Sequence, residues 1–377
     1  MKIFITSLFA HVFLNLYIGW RVWYALPPKK PARVLLVLFF TLEALLYGTI
    51  FIFRDTLSEK ALFIGSKICL IWLIAMVYFT IILLSLDLMR LLHRRWQIYP
   101  KWVKQRYLLT KQFLLICSTL LVSTVLYNGY RNGQSPVVKQ VSLTVTKGNP
   151  VRKELKIAVA SDWHIGHITR KEETQNIVRL INSQNPDLIL LPGDLVDHDL
   201  HIAYRLQIDE DLRQLKAPLG VYAVMGNHEY RGWPDAKKRW FAKSHITLLI
   251  DSVASPDGTF YLIGRDDFTN EKKRKSMHEL TQGIDTTKPI IVIDHQPEAV
   301  SISEVTRNKA DIAFYGHTHG GQIWPHSTLV SLFSPLVYGY KKIGDTHHYV
   351  TSGVGMAGPP LRIGSRSEIV IFTVGFE

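Results

Sequence analysis

Four long apolar stretches in the first third of the 377-residue chain constrain its fold more than any other sequence feature. They cover residues 3–24, 34–53, 68–92 and 113–127, and a helix needs about 20 residues to cross a bilayer. Residues 1–130 contain only four acids, which disfavours these stretches as core helices of a soluble domain. A signal peptide would explain only the first stretch, and three more follow it. We therefore predict an all-α region of four transmembrane helices over residues 1–127.

The net charge of the chain is concentrated in this apolar region. Residues 1–130 hold fifteen Lys and Arg against four acids, which accounts for eleven of the thirteen net positive charges. These basic residues flank apolar stretches, so the high pI does not indicate nucleic-acid binding, and we expect no nucleic-acid partner.

The basic residues also predict an orientation in the membrane. Two connections hold most of them: Arg21, Lys29, Lys30 and Arg33 in the first, and Arg94, Arg95, Lys101, Lys104, Arg106 and Lys111 in the third. Connections rich in Lys and Arg stay in the cytoplasm. We therefore expect a multi-pass protein of the cytoplasmic (inner) membrane, with its C-terminal domain outside the cytoplasm.

Two acidic residues fall within the predicted spans, Glu43 in the second and Asp87 near the end of the third. An acid in a membrane helix is by default a sign of a functional site. The alternative, which we favour, is that Glu43 is protonated or hydrogen-bonded to a neighbouring helix and that Asp87 reaches the interface. A transport function for the spans therefore has little support.

The remainder of the chain has the pattern of a soluble α/β domain. Residues 128–136 (NGYRNGQSP) are rich in turn-forming residues and predict a linker, so the domain is expected to cover residues 137–377. Short apolar runs rich in Val, Ile and Tyr alternate there with polar, helix-like stretches. Both cysteines, Cys69 and Cys117, precede this domain, which excludes a disulfide or a thiolate zinc site within it.

Five short motifs in this domain contain Asp, His and Asn directly after apolar runs. They are D-x-H at 162–164, G-D-x-x-D at 193–197, G-N-H-E at 226–229, D-H at 294–295 and G-H-x-H at 316–319. In α/β folds such sites form where strands end and loops begin. A set of oxygen and nitrogen donors without thiolate suits Mn²⁺, Fe or Zn²⁺. Two such ions about 3.5–4 Å apart activate water and neutralise phosphoryl oxygens.

These motifs, in this order, resemble the signature of the calcineurin-like metallophosphoesterase superfamily. The stretches GHTHGGQ at 316–322 and SGVGMAGPPLR at 352–362 are similar to a bacterial-type subgroup that often carries an N-terminal signal or membrane segment. The resemblance covers the soluble domain only. It implies a four-layer αββα sandwich and two bound divalent metal ions.

The resemblance also implies a role for each motif residue. The first metal is expected to be bound by Asp162, His164 and His319, the second by Asn227, His295 and His317, with Asp194 bridging the two. His228 is expected to act on the leaving group or the phosphoryl oxygen, oriented by Asp197. The family commonly has Arg after this last aspartate, where His198 stands here, so a phosphate contact is left for another basic residue. Arg362 is expected either to reach the substrate phosphate or to form an ion pair within its loop.

The expected function is hydrolysis of a phosphate ester by attack of metal-bound hydroxide, in an enzyme anchored to the membrane. Membrane lipids are expected contacts of the anchor, and anchoring favours a phosphodiester or lipid-linked substrate. Two alternatives stay open: a phosphomonoesterase, and a non-catalytic membrane sensor that retains the fold. The sequence does not indicate whether the protein is a monomer or an oligomer.

Overall fold

The computed structural model describes residues 2–53, 56–147, 152–198 and 200–377, with the side chains of 2–8, 10, 271–273 and 333 left out. The chain divides into two compact units, Met1–Gly129 and Tyr130–Glu377. The helices that begin in the first unit are α1 (Lys2–Trp23), α2 (Lys30–Ile52), α3 (Glu59–Trp96), α4 (Lys101–Gln105) and α5 (Tyr107–Gln134).

Three helices in the described part of the chain are long and apolar enough to cross a membrane, namely α2, α3 and α5. The expectation of four is therefore corrected to three. The first predicted stretch is helical, as α1, but most of its first nine side chains lie outside the described residues, and its later part carries His11, Asn15 and Arg21. These polar side chains bond with acids on the neighbouring helices.

The acids within the membrane helices are paired, as we favoured for Glu43. The Glu43 carboxylate accepts a hydrogen bond from Asn15 Nδ2 at 2.7 Å and lies 3.0 Å from His11 Nε2. Asp87 accepts from the Tyr17 hydroxyl at 2.7 Å and forms an ion pair with Arg21. These contacts join helices that are distant in sequence, which explains why the acids are tolerated among apolar side chains.

Helix α5 continues through most of the stretch that we expected to be a linker. It ends at Gln134, and β1 then begins at Val137, the expected start of the soluble domain. Tertiary contacts stabilise the last turn against its turn-forming residues: Asn132 Nδ2 donates to the Arg362 carbonyl at 3.4 Å, and the Asn132 carbonyl accepts from Ser367 N at 3.3 Å.

The second unit contains two six-stranded sheets and their connecting helices. The strands are β1 (Val137–Val145), β2 (Glu154–Val159), β3 (Leu188–Pro192), β4 (Val221–Val224), β5 (Thr247–Leu248), β6 (Ser252–Ala254), β7 (Tyr261–Gly264), β8 (Ile290–Ile293), β9 (Ile312–Tyr315), β10 (Gly339–Ile343), β11 (Thr346–Val350) and β12 (Glu368–Phe376). The helices are α6 (Lys171–Asn182), α7 (His201–Arg205), α8 (Ile208–Leu212), α9 (Pro234–Lys243), α10 (Met277–Thr281), α11 (Ala299–Arg307) and α12 (His326–Phe333).

Strand order and core packing produce the expected four layers. One sheet has the order β1-β12-β2-β3-β4-β5, and the other has β10-β11-β9-β8-β7-β6. Buried side chains of α6 to α9 cover the outer face of the first sheet. Those of α10 and α11 cover the outer face of the second, and a third apolar cluster fills the space between the sheets. The strands at the centre of each sheet are apolar on both faces because both faces are covered.

Candidate metal centre

The five motifs come together at the carboxyl ends of five central strands. β2, β3 and β4 are parallel neighbours in the first sheet, and β8 and β9 are parallel neighbours in the second. The D-x-H, G-D-x-x-D and G-N-H-E motifs follow the first three strands, and the D-H and G-H-x-H motifs follow the other two. Carboxyl ends of parallel strands share one edge of a sheet, so both sheets contribute to one site.

Most of the predicted metal ligands have a strained backbone. Five of the seven (Asp162, His164, Asp194, His317 and His319) have φ between +49° and +70°. This left-handed conformation costs a residue with a side chain roughly 1–3 kcal/mol and is concentrated at functional sites. The cost is met here by the surrounding contacts, for example the bond from Asp162 N to the Gly193 carbonyl at 3.1 Å.

Two of the glycines that precede predicted ligands allow neighbouring loops to approach closely. A Cβ at Gly226 would collide with the Asp194 carboxylate, and a Cβ at Gly316 would collide with Ser161 and Asp162. A side chain at either position would push a predicted ligand away from the site.

The first group of donors consists of Asp162, His164 and His319. His164 Nε2 lies 3.0 Å from His319 Nε2, and His319 Nε2 lies 3.5 Å from Asp162 Oδ1. Two imidazole nitrogens that bind one ion at about 2.0–2.1 Å lie about 3 Å apart when the angle between them is near 90°. The spacing of this group therefore fits a single divalent cation.

The second group consists of Asn227, His295 and His317. Asn227 Oδ1 lies 3.1 Å from both His295 Nε2 and His317 Nδ1, and these nitrogens are 3.3 Å apart. When the amide oxygen of Asn227 points into the group, it faces the two ring nitrogens, and a bound cation can accept the lone pairs of all three atoms. With the amide reversed, its nitrogen donates to both histidines and its oxygen accepts from Arg231 Nη2 at 3.1 Å.

Asp194 lies between the two groups. Its Oδ2 atom is 3.3 Å from His295 Nε2 and 3.8 Å from His164 Nε2, so one carboxylate oxygen faces a histidine of each group. The other oxygen accepts from His228 N at 2.8 Å, which holds the carboxylate in place. The donor set therefore fits two cations with a shared carboxylate, as the resemblance implies.

Hydrogen bonds on the far side of two histidines set which ring nitrogen is free for a metal. His164 Nδ1 donates to Asp197 Oδ1 at 2.9 Å, and His295 Nδ1 donates to the Pro192 carbonyl at 2.8 Å. In both rings the Nε2 lone pair is then directed into the site.

The protonation of the histidines also suits a cation site. Burial and the neighbouring His295 lower the pKa of His317 to about 3, and burial and His164 hold the pKa of His319 well below its usual range. Both rings are therefore neutral at neutral pH, as ligands must be. Burial disfavours charge on His164 as well, but the carboxylates of Asp197, Asp194 and Asp162 outweigh it and raise its pKa to about 9. The excess of carboxylates thus attracts positive charge to this position, whether a proton or a metal ion.

The predicted catalytic pair lies beside the two groups. His228 Nδ1 is 3.0 Å from Asp197 Oδ1, the same atom that accepts from His164. On the opposite side of the ring, His228 Nε2 is 2.9 Å from the Arg231 guanidinium. The His198 ring centroid is 5.4 Å from that of His228, so this residue also borders the site.

The structure adds two charged residues that sequence analysis did not assign to the site. Arg231 lies three positions after His228, and its guanidinium lies 2.9 Å from His228 Nε2. Glu229 is fully buried and accepts hydrogen bonds from Asp194 N and Val196 N at 2.9 Å and from Gly226 N at 2.7 Å. Glu229 therefore ties the β3 and β4 loops together. The sequence signal for Glu229 was its position as the last residue of the G-N-H-E motif.

Arg362 has neither of the two expected roles. Its side chain is fully buried, and its guanidinium donates to the carbonyls of His319 and Gly355 at 3.1 and 2.6 Å. It lies 3.2 Å from His319 Nδ1, behind the ring rather than in the open site. Burial lowers the pKa of Arg362 to about 10, so it remains charged at neutral pH and supports the His319 loop.

Known proteins match the chain in sequence. A profile described as calcineurin-like phosphoesterase matches residues 155–321, which include all five motifs. A "Transmembrane protein with metallophosphoesterase domain" from Danio rerio is 30% identical over 358 residues, covering 91% of this chain and 80% of the relative. An "Uncharacterized metallophosphoesterase" from Helicobacter pylori J99 is 32% identical over 265 residues, covering 69% of this chain and 70% of the relative. The match to the Danio rerio protein covers more of the chain than the second unit contains, so it extends into the region of apolar helices.

Proposed function

The chain belongs to the calcineurin-like phosphoesterase family, and on that premise we propose that it is a membrane-anchored, two-metal hydrolase of phosphate esters. The observation that carries this proposal is the position of Asp194 between two groups of donors, each with the spacing of a cation site. Two divalent ions at such a site activate a water molecule and neutralise phosphoryl oxygens. Mn, Fe and Zn suit the imidazole and carboxylate donors.

His228 is proposed to donate a proton to the leaving oxygen. Its Nδ1 donates to Asp197, and its Nε2 accepts from Arg231 in this structure. For Nε2 to carry the proton, the Arg231 guanidinium therefore has to turn from the ring to the phosphoryl oxygen. A positioned acid contributes about 10²–10⁴-fold to such a reaction. Arg231, beside Nε2, is proposed to bind a nonbridging phosphoryl oxygen in place of the family's arginine. Charge-assisted hydrogen bonds of this kind are stronger than neutral ones.

The surface next to the site supports a substrate with an apolar part. A cavity of about 500 Å³ is lined by His317 and Thr318 and also by Leu329 and Val330 of α12. Leu329 and Leu332 of the same helix are exposed. An apolar wall beside a polar site binds a ligand that combines a phosphate with a hydrocarbon group. We therefore favour a phosphodiester or lipid-linked substrate that the membrane brings near.

The catalytic unit is proposed to lie outside the cytoplasm. The last turn of α3 contains Arg94 and Arg95, and the connection to α5 contains Lys101, Lys104 and Arg106. Membrane-flanking segments rich in Lys and Arg remain cytoplasmic. Helix α5 then crosses to the other side and leads into the catalytic unit. This orientation depends on α5 alone, so it holds whether or not α1 spans the membrane. A reporter active only in the cytoplasm, fused after Glu377, should be silent, and a strong signal would contradict the proposal.

The decisive experiment measures hydrolysis by the purified full-length protein with Mn²⁺. Bis-p-nitrophenyl phosphate and p-nitrophenyl phosphate distinguish diester from monoester activity. Asp194→Asn and His228→Ala should each lose most of the activity, whereas the surface control His278→Ala should keep it. If wild-type protein with confirmed metal occupancy turns over neither substrate faster than Asp194→Asn does, the non-catalytic sensor becomes the better explanation.

A further inference from the structure

A cavity within the first unit has a composition that the proposed hydrolase activity does not explain. Helices α1, α2 and α3 pack directly on one another, and α5 forms the remaining wall of a space of about 470 Å³. That volume lies within the range of pockets that bind small molecules. The walls are mostly apolar, with Phe39 and Phe40 from α2 and Leu114 and Leu115 from α5 among them.

Three basic side chains line one end of this cavity. Arg21 lies in the last turn of α1, Arg90 lies near the end of α3, and Lys111 lies near the start of α5. Because these helices alternate in direction, the three residues are at the same end of the helical unit. It is the end that carries the two basic connections.

The cationic end is organised by one acid. The Asp87 carboxylate pairs with Arg21 through one oxygen and with Arg90 through the other at 3.0 Å, and Tyr17 donates to it at 2.7 Å. The Lys111 ammonium lies 4.4 Å from the centre of the Tyr107 ring. The three cations at this end of the cavity are accompanied by one carboxylate, which leaves a surplus of two positive charges beside the apolar walls. A cation surplus beside apolar walls matches the two halves of an amphiphilic anion.

We propose that this cavity binds an anionic glycerophospholipid, with an acyl chain between α5 and the other helices and the phosphate at Arg21, Arg90 and Lys111. Basic pockets between membrane helices on the cytoplasmic side recognise anionic headgroups in this way. The residues that line this cavity all belong to the first unit, whereas the predicted metal ligands all belong to the second. One membrane helix would be enough to anchor the protein, and lipid binding gives the additional helices a function. This proposal does not depend on the hydrolase activity.

Lipid retention by the full-length protein tests this proposal. The protein is purified in a non-ionic detergent, mixed with equal amounts of dioleoylphosphatidylglycerol and dioleoylphosphatidylcholine, and examined by native mass spectrometry. Wild-type protein should retain phosphatidylglycerol in preference to phosphatidylcholine by roughly tenfold, as expected for a surplus of two positive charges near a headgroup. Equal retention of the two lipids by wild-type protein would overturn the proposal.

Variants separate the two halves of the site. Arg90→Gln combined with Lys111→Gln should abolish the preference for phosphatidylglycerol, whereas Lys104→Gln, a change in the same basic connection but outside the cavity, should keep it. Ser118→Trp fills the cavity without changing charge and should reduce retention of both lipids, whereas Leu120→Trp on an exposed face of α5 should not. An unchanged preference in the double variant, or unchanged retention in Ser118→Trp, would contradict the site. Ser118→Trp decides the question if the double variant does not fold.

Discussion

Asp197 accepts hydrogen bonds from two histidines with different proposed tasks. One of its oxygens lies 2.9 Å from Nδ1 of His164, a predicted metal ligand, and 3.0 Å from Nδ1 of His228, the proposed acid. A single carboxylate thus sets the ring orientation of both. In the proposed mechanism, metal binding and proton transfer are coupled through this residue, although it is not itself expected to bind a metal.

Replacing Asp197 should therefore impair both processes. We expect Asp197→Asn to lower metal affinity about 10–100-fold, because the far-side partner of a metal-binding histidine contributes that much. His228→Ala should reduce kcat while leaving metal content unchanged. Metal analysis after dialysis, together with kcat at saturating Mn²⁺, separates these effects, and Asp345→Asn on the surface is the control. Full metal affinity in Asp197→Asn would contradict the shared role.

Arg231 offers a second test at the scale of one residue. If it binds a phosphoryl oxygen, Arg231→Gln should lower kcat/KM about 10–100-fold, the loss expected for a hydrogen bond to a charged group. Arg231→Lys should recover part of the activity, because lysine restores the positive charge but cannot form the bidentate hydrogen bonds of a guanidinium. Arg239→Gln on the exposed face of α9 is the matched control. Equal activities of wild type and Arg231→Gln on both nitrophenyl substrates would exclude the role.

Two helices extend past their predicted bounds, α3 with the help of a local cap and α5 with the help of contacts distant in sequence. α3 has 38 residues rather than about 25, and a serine cap stabilises its first turn, where Ala61 N donates to Ser58 Oγ at 3.3 Å. α5 continues to Gln134 because Asn132 bonds with the loop before β12. Hydropathy detects the apolar middle of a membrane helix, but the polar ends that extend past the bilayer carry no apolar signal.

Helix α12 carries the prediction about substrate class. Leu329 and Leu332 are three positions apart on one face of this helix and are exposed, and Leu329 also lines the cavity beside His317. We expect the double change Leu329→Ser and Leu332→Ser to slow hydrolysis of a lipid-linked phosphodiester by about tenfold, because apolar contact with the chain is lost.

The same variant should hydrolyse bis-p-nitrophenyl phosphate at the wild-type rate, because that substrate has no long hydrocarbon chain. Val253→Ser, on an exposed position of the edge strand β6, controls for the loss of a surface apolar side chain. A parallel loss on both substrates would indicate a distorted metal site rather than a lipid contact.

At the scale of the whole molecule, the candidate metal centre lies where the two sheets of the second unit meet. Asp162, Asp194 and Asn227 follow strands of one sheet, and His295 and His317 follow strands of the other. The groups therefore lie across the interface that the central apolar cluster fills. Cations bound there link both halves of the catalytic unit, so binding should stabilise the folded state.

Removing the metal should accordingly lower the unfolding temperature of the catalytic unit. A ligand present at a hundred times its Kd stabilises by about 2.7 kcal/mol, which corresponds to roughly 5–10 °C for a unit of this size. Thermal unfolding of the full-length protein with Mn²⁺ and with EDTA measures the shift. Asp194→Asn should show a much smaller difference between the two conditions. Identical curves for metal-loaded and metal-free wild type would show that the ions do not link the sheets.

The sequence by itself determined the family, the alternation of apolar runs with polar motifs, and the placement of each motif after a strand. These are local properties, because strand period, turn residues and motif spacing are written in consecutive residues. Family membership is confirmed by the sequence matches, and the four layers are confirmed by the two covered sheets. The assignment of individual metal ligands remains a prediction that the geometry supports.

Only the tertiary structure decided which charged side chains meet across the chain. It placed Arg231 against His228, buried Glu229 under the β3 and β4 loops, and moved Arg362 behind His319. It also paired Asp87 of α3 with Arg21 of α1 beside an apolar cavity. No local pattern encodes these contacts, because each depends on the packing of segments that are far apart in sequence or on the direction in which a loop leaves its strand.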